Sequence, residues 1–431
     1  MTLVQRSGSR RVSTVRSSAS RSARALALVA GLGVVACGEP TSPGAKPAVI
    51  SALPRALSAS ESAIANSTPS FGVNLLREVN RSYADSNVFL SPLSASMALA
   101  MTMNGANGTT YTQMREALGL PDQPLADLNA GYQSLITMLR GLDGTVDFRL
   151  ANSIWYANSF APFIAPTFLT DTRTFFDARV TGLDFQSPQA PSTINAWVNT
   201  STNGKIDRIV DAIPSNIVMY LINATYFKGA WRDGFAPSAT TSSTFTTATG
   251  ARVSVPMMTR KGGFRARMGN GVEVGELPYG GDAYVMTLVM PPVGQSINAF
   301  VASLTASSWA SLVSGLNDVT WDIYLPKFTL RFEDKLNDEL QALGMRQAFI
   351  AGGADFTRLS PTAGRDLYIS DVKQKTFVDV NEVGTEAAAV TSVGIGVTSL
   401  PPSIRFDRPF VFAIRERLSG TVLFMGKIVR P

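Results

Sequence analysis

Ser370 and Lys373 stand three residues apart, the S-x-x-K spacing in which a lysine can ready a serine for acyl transfer. That chemistry needs a helix, which brings side chains three apart onto one face. Tyr368–Val380 instead carries the β-branched and aromatic pattern of a strand, and the partner motifs of such hydrolases are missing. A Ser-Lys acyl hydrolase is therefore disfavoured. Histidine is absent from all 431 residues, which excludes Ser-His-Asp and Cys-His mechanisms and histidine-containing zinc sites. The single cysteine, Cys37, can form neither an intramolecular disulfide nor a thiolate metal cluster. No catalytic residue, metal or cofactor is assigned.

What remains is a segment that looks made to be acted upon. Gly384 to Pro402 is a long connection with no charge after Glu386, and a loop of that length inside a compact domain is usually functional or disordered. It alternates. Thr385, Ala387, Ala389, Thr391, Val393, Ile395 and Val397 form one small or β-branched, largely apolar face. Glu386, Ala388, Val390, Ser392, Gly394, Gly396 and Thr398 form the other, smaller and more polar. Period-two patterning describes a half-buried strand. Yet Gly394 and Gly396 weaken a permanent one, and Pro401-Pro402 blocks further pairing.

The elements that must hold this segment follow from periodicity. Ser91 is placed to cap a helix running from Pro92 to Met103. Thr109–Leu118, Leu125–Leu142 and Pro191–Thr200 carry similar helical patterns. Strand patterns dominate later, at Ile217–Phe227, Ala283–Met290, Val319–Leu325 and Tyr368–Val380. Pro409–Glu416 and Gly420–Val429 close the chain as an expected antiparallel pair. Helices first and strands later, without β-α alternation, indicate an α+β fold with large, mainly antiparallel sheets. No internal repeat or second linker interrupts residues 67–431, which read as one domain.

Residues 1–36 hold six arginines and no acid, followed by an apolar run from Ala25 that ends at Ala36-Cys37. A basic start, a short apolar stretch and small residues before the cut describe an export signal. About 12 apolar residues are too few to span a bilayer comfortably. The surroundings of Cys37 resemble the bacterial lipobox, so Cys37 is expected to be acylated. Residues 37–66, rich in Pro, Ser and Ala, are expected to form a flexible tether to the membrane. The expected location is the cell envelope or surface, with membrane contact through the lipid alone. Without the six arginines, 32 basic residues face 32 acidic ones, so a nucleic-acid partner has no electrostatic support.

Asn381-Glu382-Val383-Gly384-Thr385-Glu386-Ala387-Ala388-Ala389 resembles the hinge of an inhibitory serpin. Other serpin-like pieces follow in order. They include Asn87–Ser94, Asn223–Trp231, Val255-Pro256-Met257-Met258, Leu325-Pro326-Lys327-Phe328, Ala354-Asp355-Phe356, Asp407–Phe412 and Phe424-Met425-Gly426-Lys427. The resemblance runs from about Phe71 to the C-terminus. It implies three β-sheets, eight or nine helices and an exposed reactive loop. It also implies a suicide substrate: a serine protease attacks the loop, and the cut loop enters the central sheet before the acyl-enzyme can be hydrolysed.

In that family the scissile bond lies at the seventeenth residue counted from the hinge glutamate. Counting from Glu382 places it at Thr398–Ser399. A small β-branched residue before the bond implies elastase-like or subtilisin-like targets with shallow apolar pockets, since no basic residue lies between Glu386 and Arg405. The resemblance further places Lys327 against Glu382, beside Trp231. It groups Ser91, Ser94 and Asn223 in a polar cluster beneath the opening strands, with Gln374 where the family often has histidine. Val390 is bulkier than the usual residue at its place. Glycosaminoglycan activation is not expected, because Arg140 is the only cation of the helix around Leu125–Leu142. A monomer is expected. The nearest alternative is a non-inhibitory serpin acting in binding or as a chaperone, although such members usually lose the small-residue hinge kept here.

Overall fold

The computed structural model describes residues 46–385 and 402–431. Expectations that fall on Cys37, on Glu386 to Ala389, on Val390, and on Thr398 and Ser399 lie outside them. Among the described residues the chain forms nine α-helices, three short 3-10 turns and fifteen strands.

The six-stranded sheet matters most for the hinge. Its order is Phe328–Lys335, Lys373–Val380, Gly384–Thr385, Met219–Ala230, Val146–Ala157, Ala178–Leu183. Lys373–Val380 and Phe328–Lys335 both alternate between buried and more exposed residues, as strands with one face on a core must. All described pairs in this sheet are antiparallel except the parallel pair of Val146–Ala157 with Ala178–Leu183.

The nine-stranded sheet runs Val88–Leu90, Val422–Ile428, Phe410–Glu416, Tyr284–Met290, Val272–Pro278, Arg252–Gly269, Asn317–Pro326, Ser403–Arg405, with Thr241–Thr246 paired to the side of Arg252–Gly269. The three expected sheets thus appear as two hydrogen-bonded networks. The cause is Arg252–Gly269, an 18-residue strand. It pairs successively with Thr241–Thr246, Asn317–Pro326 and Val272–Pro278, and so fuses what would otherwise be separate sheets.

Between the sheets lies the helix Pro92–Met103, which touches strands of both. Nearly every residue in it is buried, as befits a helix with apolar neighbours all round. Ser91 caps it, its hydroxyl accepting from the Ser94 amide. Beside it, the rings of Phe89, Phe412 and Phe424 stack at 5.1–5.4 Å between centroids.

Two expectations need correction. The tether does not extend to residue 66. A helix spans Ala59–Ser82, opened by a capping box in which Ser58 and Glu61 satisfy each other's backbone amides, and residues 46–57 pack on the body. The Ser/Ala-rich composition and Pro69 inside the helix hide its periodicity, although Ser58-Ala59-Ser60-Glu61 carries the capping signature. The strand Tyr368–Val380 begins only at Lys373, because Asn337 binds the backbone of Ser370 and Val372 and holds that approach outside the ladder.

Candidate functional site

The hinge has already begun to form a strand. Gly384 lies opposite Ala230, and Thr385 lies opposite both Gly229 and Val380, so these two residues sit between Met219–Ala230 and Lys373–Val380. Glycine is required at 384: a Cβ there would come within 2.1 Å of the Gly229 carbonyl oxygen, at a backbone φ of +156°. Thr385 is 2% exposed, and its hydroxyl is 2.7 Å from that of Tyr279. Burial pushes the Tyr279 phenol well above its ordinary range, so the ring is a neutral partner.

Tyr279 in turn stacks on Trp231, with centroids 4.5 Å apart and planes at 13°. The Trp231 indole donates to the Asn381 carbonyl at 2.9 Å, and its backbone amide donates to Val383 at 2.8 Å. Glu382 meets Lys327 at 2.9 Å and accepts from Thr240 at 2.9 Å, while its carbonyl accepts from the Phe235 amide. Lys327, Glu382, Trp231, Gly384 and Thr385 are therefore brought together. Tyr279, Thr240 and Phe235 were not foreseen. They come from connections whose only sequence signals are turn residues such as Pro278 and Gly280-Gly281.

Burial pushes the Glu382 carboxyl up, but hydrogen bonds from Lys327, the backbone and Thr240 outweigh it and hold the group below its ordinary 4.5. A carboxyl with a depressed folded-state pKa stabilises fully above 4.5 and loses that contribution as pH falls through the folded value. Replacing Glu382 by Gln is expected to flatten the melting profile below about pH 5, by about 1 kcal/mol at most because Lys327 is partly exposed. Thermal melts of the two proteins across that acid range check it.

The polar residues beneath the strands form one chain of hydrogen bonds, joined where the Ser94 amide donates to the Ser91 hydroxyl. Ser94 and Thr225 bind Asn223 Oδ1, and Asn223 donates to Asn152 at 2.6 Å. Asn152, on the strand Val146–Ala157 that the sequence reading passed over, donates to the Phe176 carbonyl. Gln374 exchanges two 2.9 Å bonds with the backbone of Ser91, and the Ser91 hydroxyl donates to Leu423. An amide can both donate and accept, so Gln374 ties its strand to the helix cap. Ser370 lies in irregular chain and Lys373 opens a strand, so the S-x-x-K spacing gains no helix.

Beside these groups a cavity of about 680 Å³ opens between Asn216–Asn223 and Tyr368–Gln374, floored by Ala95, Ala98, Leu99 and Phe356. It is lined mostly by apolar side chains. No ladder pair joins Met219–Ala230 directly to Lys373–Val380 among the described residues; the link is Gly384–Thr385.

The profile of the family Serpin (serine protease inhibitor) matches residues 66–431. An uncharacterised serpin-like protein of Thermococcus kodakarensis is 33% identical over 379 residues, covering 86% of each chain. Human neuroserpin is 32% identical over 83% of this chain and 90% of its own. Among solved structures, the thermophilic serpin tengpin in its native state matches with a TM-score of 0.77 and 31% identity, covering 90% of this chain and 98% of tengpin. Human thyroxine-binding globulin in complex with thyroxine matches with a TM-score of 0.78 and 29% identity, covering 86% of this chain and 100% of that one. Serpins are in general protease inhibitors rather than catalysts, with some non-inhibitory members. On fold, hinge geometry and these matches, the chain belongs to the serpin family.

Proposed function

We propose that this serpin is a suicide-substrate inhibitor of elastase-like or subtilisin-like serine proteases, cut at Thr398–Ser399. One observation carries the reading: Gly384–Thr385 is paired on both sides, which gives the cut loop a register to follow. Extending that register by alternate residues places Thr391 opposite Asn223 and Gln374. Val393 then faces Leu221 and Val372, Ile395 faces Met219 and Ser370, and Val397 faces Ile217 and Tyr368. These facing residues line the 680 Å³ cavity. The apolar face of the loop is thus complementary to the surface that would receive it.

The other face supports the same reading. Ser392, Gly394 and Gly396 fall opposite Ile222, Tyr220 and Val218. On that side Ile222 and Tyr220 pack with Trp155, Ile194 and Val198 under the helix Ala190–Ser201. Small residues would pass there where larger ones would collide. Val390 falls opposite Ala224 and Lys375, where a methyl-sized neighbour leaves it room.

Trapping follows from timing. Acylation breaks the Thr398–Ser399 peptide bond, with the Thr398 carbonyl esterified to the protease serine and Ser399 leaving as a free amine. Strand addition then carries the ester away before water can attack it. Export, acylation of Cys37 and residence at the cell envelope belong to the same proposal, supported by the placement of the only cysteine after an apolar run.

The bond is tested by intact-mass analysis after exposure to an elastase-like protease. The expected released peptide begins at Ser399 and ends at Pro431. A first cut elsewhere in the loop moves the reactive bond, and a cut outside it contradicts the reading.

A further inference from the structure

Asp282 is an ionisable residue in a backbone conformation that few side chains adopt. Its φ is +67°, in the left-handed region that glycine favours and that aspartate and asparagine tolerate best among the rest. It closes the turn that begins at Tyr279. The Asp282 amide donates to the Tyr279 carbonyl at 2.7 Å, and the Tyr279 amide donates to the Tyr284 carbonyl at 2.8 Å. Two guanidinium groups meet its carboxylate: Arg265, from Arg252–Gly269, at 2.9 Å, and Arg417, just beyond Phe410–Glu416, at 3.4 Å. Arg417 also donates to the Asp282 carbonyl at 2.9 Å. The three side chains are only 19–21% exposed, so salt and water screen their attraction weakly.

That carboxylate has little backing. Arg265 also meets Glu276 at 2.9 Å, but Glu276 is fully buried and is shared with Arg415. Arg265, Arg415 and Arg417 thus divide two carboxylates between them. On the other side of the turn, the Gly281 amide donates to Asp143 at 2.8 Å, and Arg232 donates to the Gly280 carbonyl at 3.0 Å. The turn is therefore held by charge on both sides.

What it holds is the ring on which the hinge rests. Tyr279 stacks on Trp231 and meets Phe227 edge-on at 5.1 Å. It lies so close to Met219–Ala230 that a Cβ on Gly229 would come within 2.9 Å of the ring, and Gly229 is the residue opposite Thr385. With packing this tight, a shift of the turn moves the ring and the hydroxyl that meets Thr385. Without that contact Gly384–Thr385 loses support in the sheet, and insertion loses its starting pair.

We propose that Asp282 is a positioning residue for loop entry: its charge, held by Arg265 and Arg417, keeps the Tyr279 ring where Thr385 is received and so favours trapping of the protease over its release. This rests on the loop-insertion reading.

The test uses the full chain and Asp282→Asn, which keeps the shape of the side chain and tolerates the left-handed backbone but carries no charge. Two quantities are read with an elastase-like protease: the rate at which the loop is cut, and the moles of inhibitor consumed per mole of protease silenced. Cutting is expected to be no slower than in wild type. Consumption is expected to rise at least about threefold, because charge-assisted hydrogen bonds are the stronger class. Amide exchange of the uncut variant is expected to quicken at Gly384–Thr385 and Trp231 above the rest of the chain. Arg265→Gln removes one partner of the same carboxylate, is expected to act in the same direction, and carries the test if the asparagine variant does not fold. Unchanged consumption, slower cutting with unchanged consumption, or faster exchange spread evenly over the chain overturns the proposal. If wild type traps no protease, the insertion reading falls and takes Asp282 with it. If wild type traps and the variants trap equally well, the role of Asp282 alone falls.

Discussion

Cutting the loop is expected to raise the melting temperature by about 20 °C or more, although a peptide bond has been lost. Roughly ten residues beyond Thr385 would each gain about two ladder hydrogen bonds, worth about 1 kcal/mol net apiece. Ordering costs about 1–2 kcal/mol per residue and offsets much of this gain. Burial of Val393, Ile395 and Val397 in the cavity adds about 1.5–3 kcal/mol each. The balance is on the order of 10 kcal/mol, and each kcal/mol moves melting by about 2 °C in a chain of this size. The intact protein is thus expected to be a kinetically held state whose more stable arrangement becomes reachable on cleavage. Scanning calorimetry of intact and cut protein checks this, and an unchanged or lower transition after cleavage contradicts it.

Thr385→Arg is expected to turn the inhibitor into a substrate. The wild-type side chain is 2% exposed and within 2.7 Å of the Tyr279 hydroxyl. A guanidinium in that place would be buried without a carboxylate partner, at a cost of several kcal/mol. The chain avoids that cost by leaving Gly384–Thr385 outside the sheet, and insertion loses its first step. Deacylation then wins, so the protease cuts the variant and goes free. The moles of variant consumed per mole of protease silenced are expected to rise by more than about tenfold, since 1.4 kcal/mol already shifts a ratio of rates by ten. Thr385→Ser keeps the hydroxyl and is expected to inhibit like wild type. Titration of residual protease activity reads both variants, and undiminished inhibition by the arginine variant contradicts entry through residue 385.

Much of this site could be read from the sequence because its parts are local. The small-residue hinge, the Ser91-Pro92 helix start and the strand patterns each depend on neighbours within a few residues. The expected pairing of Lys327 with Glu382 rests on family resemblance, and the two groups lie 2.9 Å apart. What escaped depends on contacts distant in sequence. Tyr279 sits in a turn with no distinctive pattern, yet it is the surface on which Trp231 and Thr385 rest. Asn152 is a polar residue in an apolar run, and its role emerges only where Val146–Ala157 lies beside Asn223. Gln374 reaches Asn223 only through Ser91 and Ser94, and register decides which backbone it meets: Asp334 and Gln374 are opposed at the edge next to Ser91. Composition points to a tether at residues 46–57 because it reports solubility and loop character, not the particular carbonyls that Arg232 and Arg417 reach for.

Glycines in the loop gained a second meaning. Their weak strand propensity marks a segment that should not be a permanent strand. The structure adds that the side they would face after insertion is covered by the helix Ala190–Ser201, so small size also provides passage. Propensity and fit point the same way there.

The central claim is a covalent, arrested acyl-enzyme. The soluble domain should be mixed with an excess of an elastase-like or subtilisin-like protease, denatured after a short interval and separated by electrophoresis. A band near the summed mass of the protease and the chain minus its Ser399–Pro431 peptide is expected, with protease activity lost in proportion. Complete conversion to the cut chain, with no such band and full protease activity, would contradict the account.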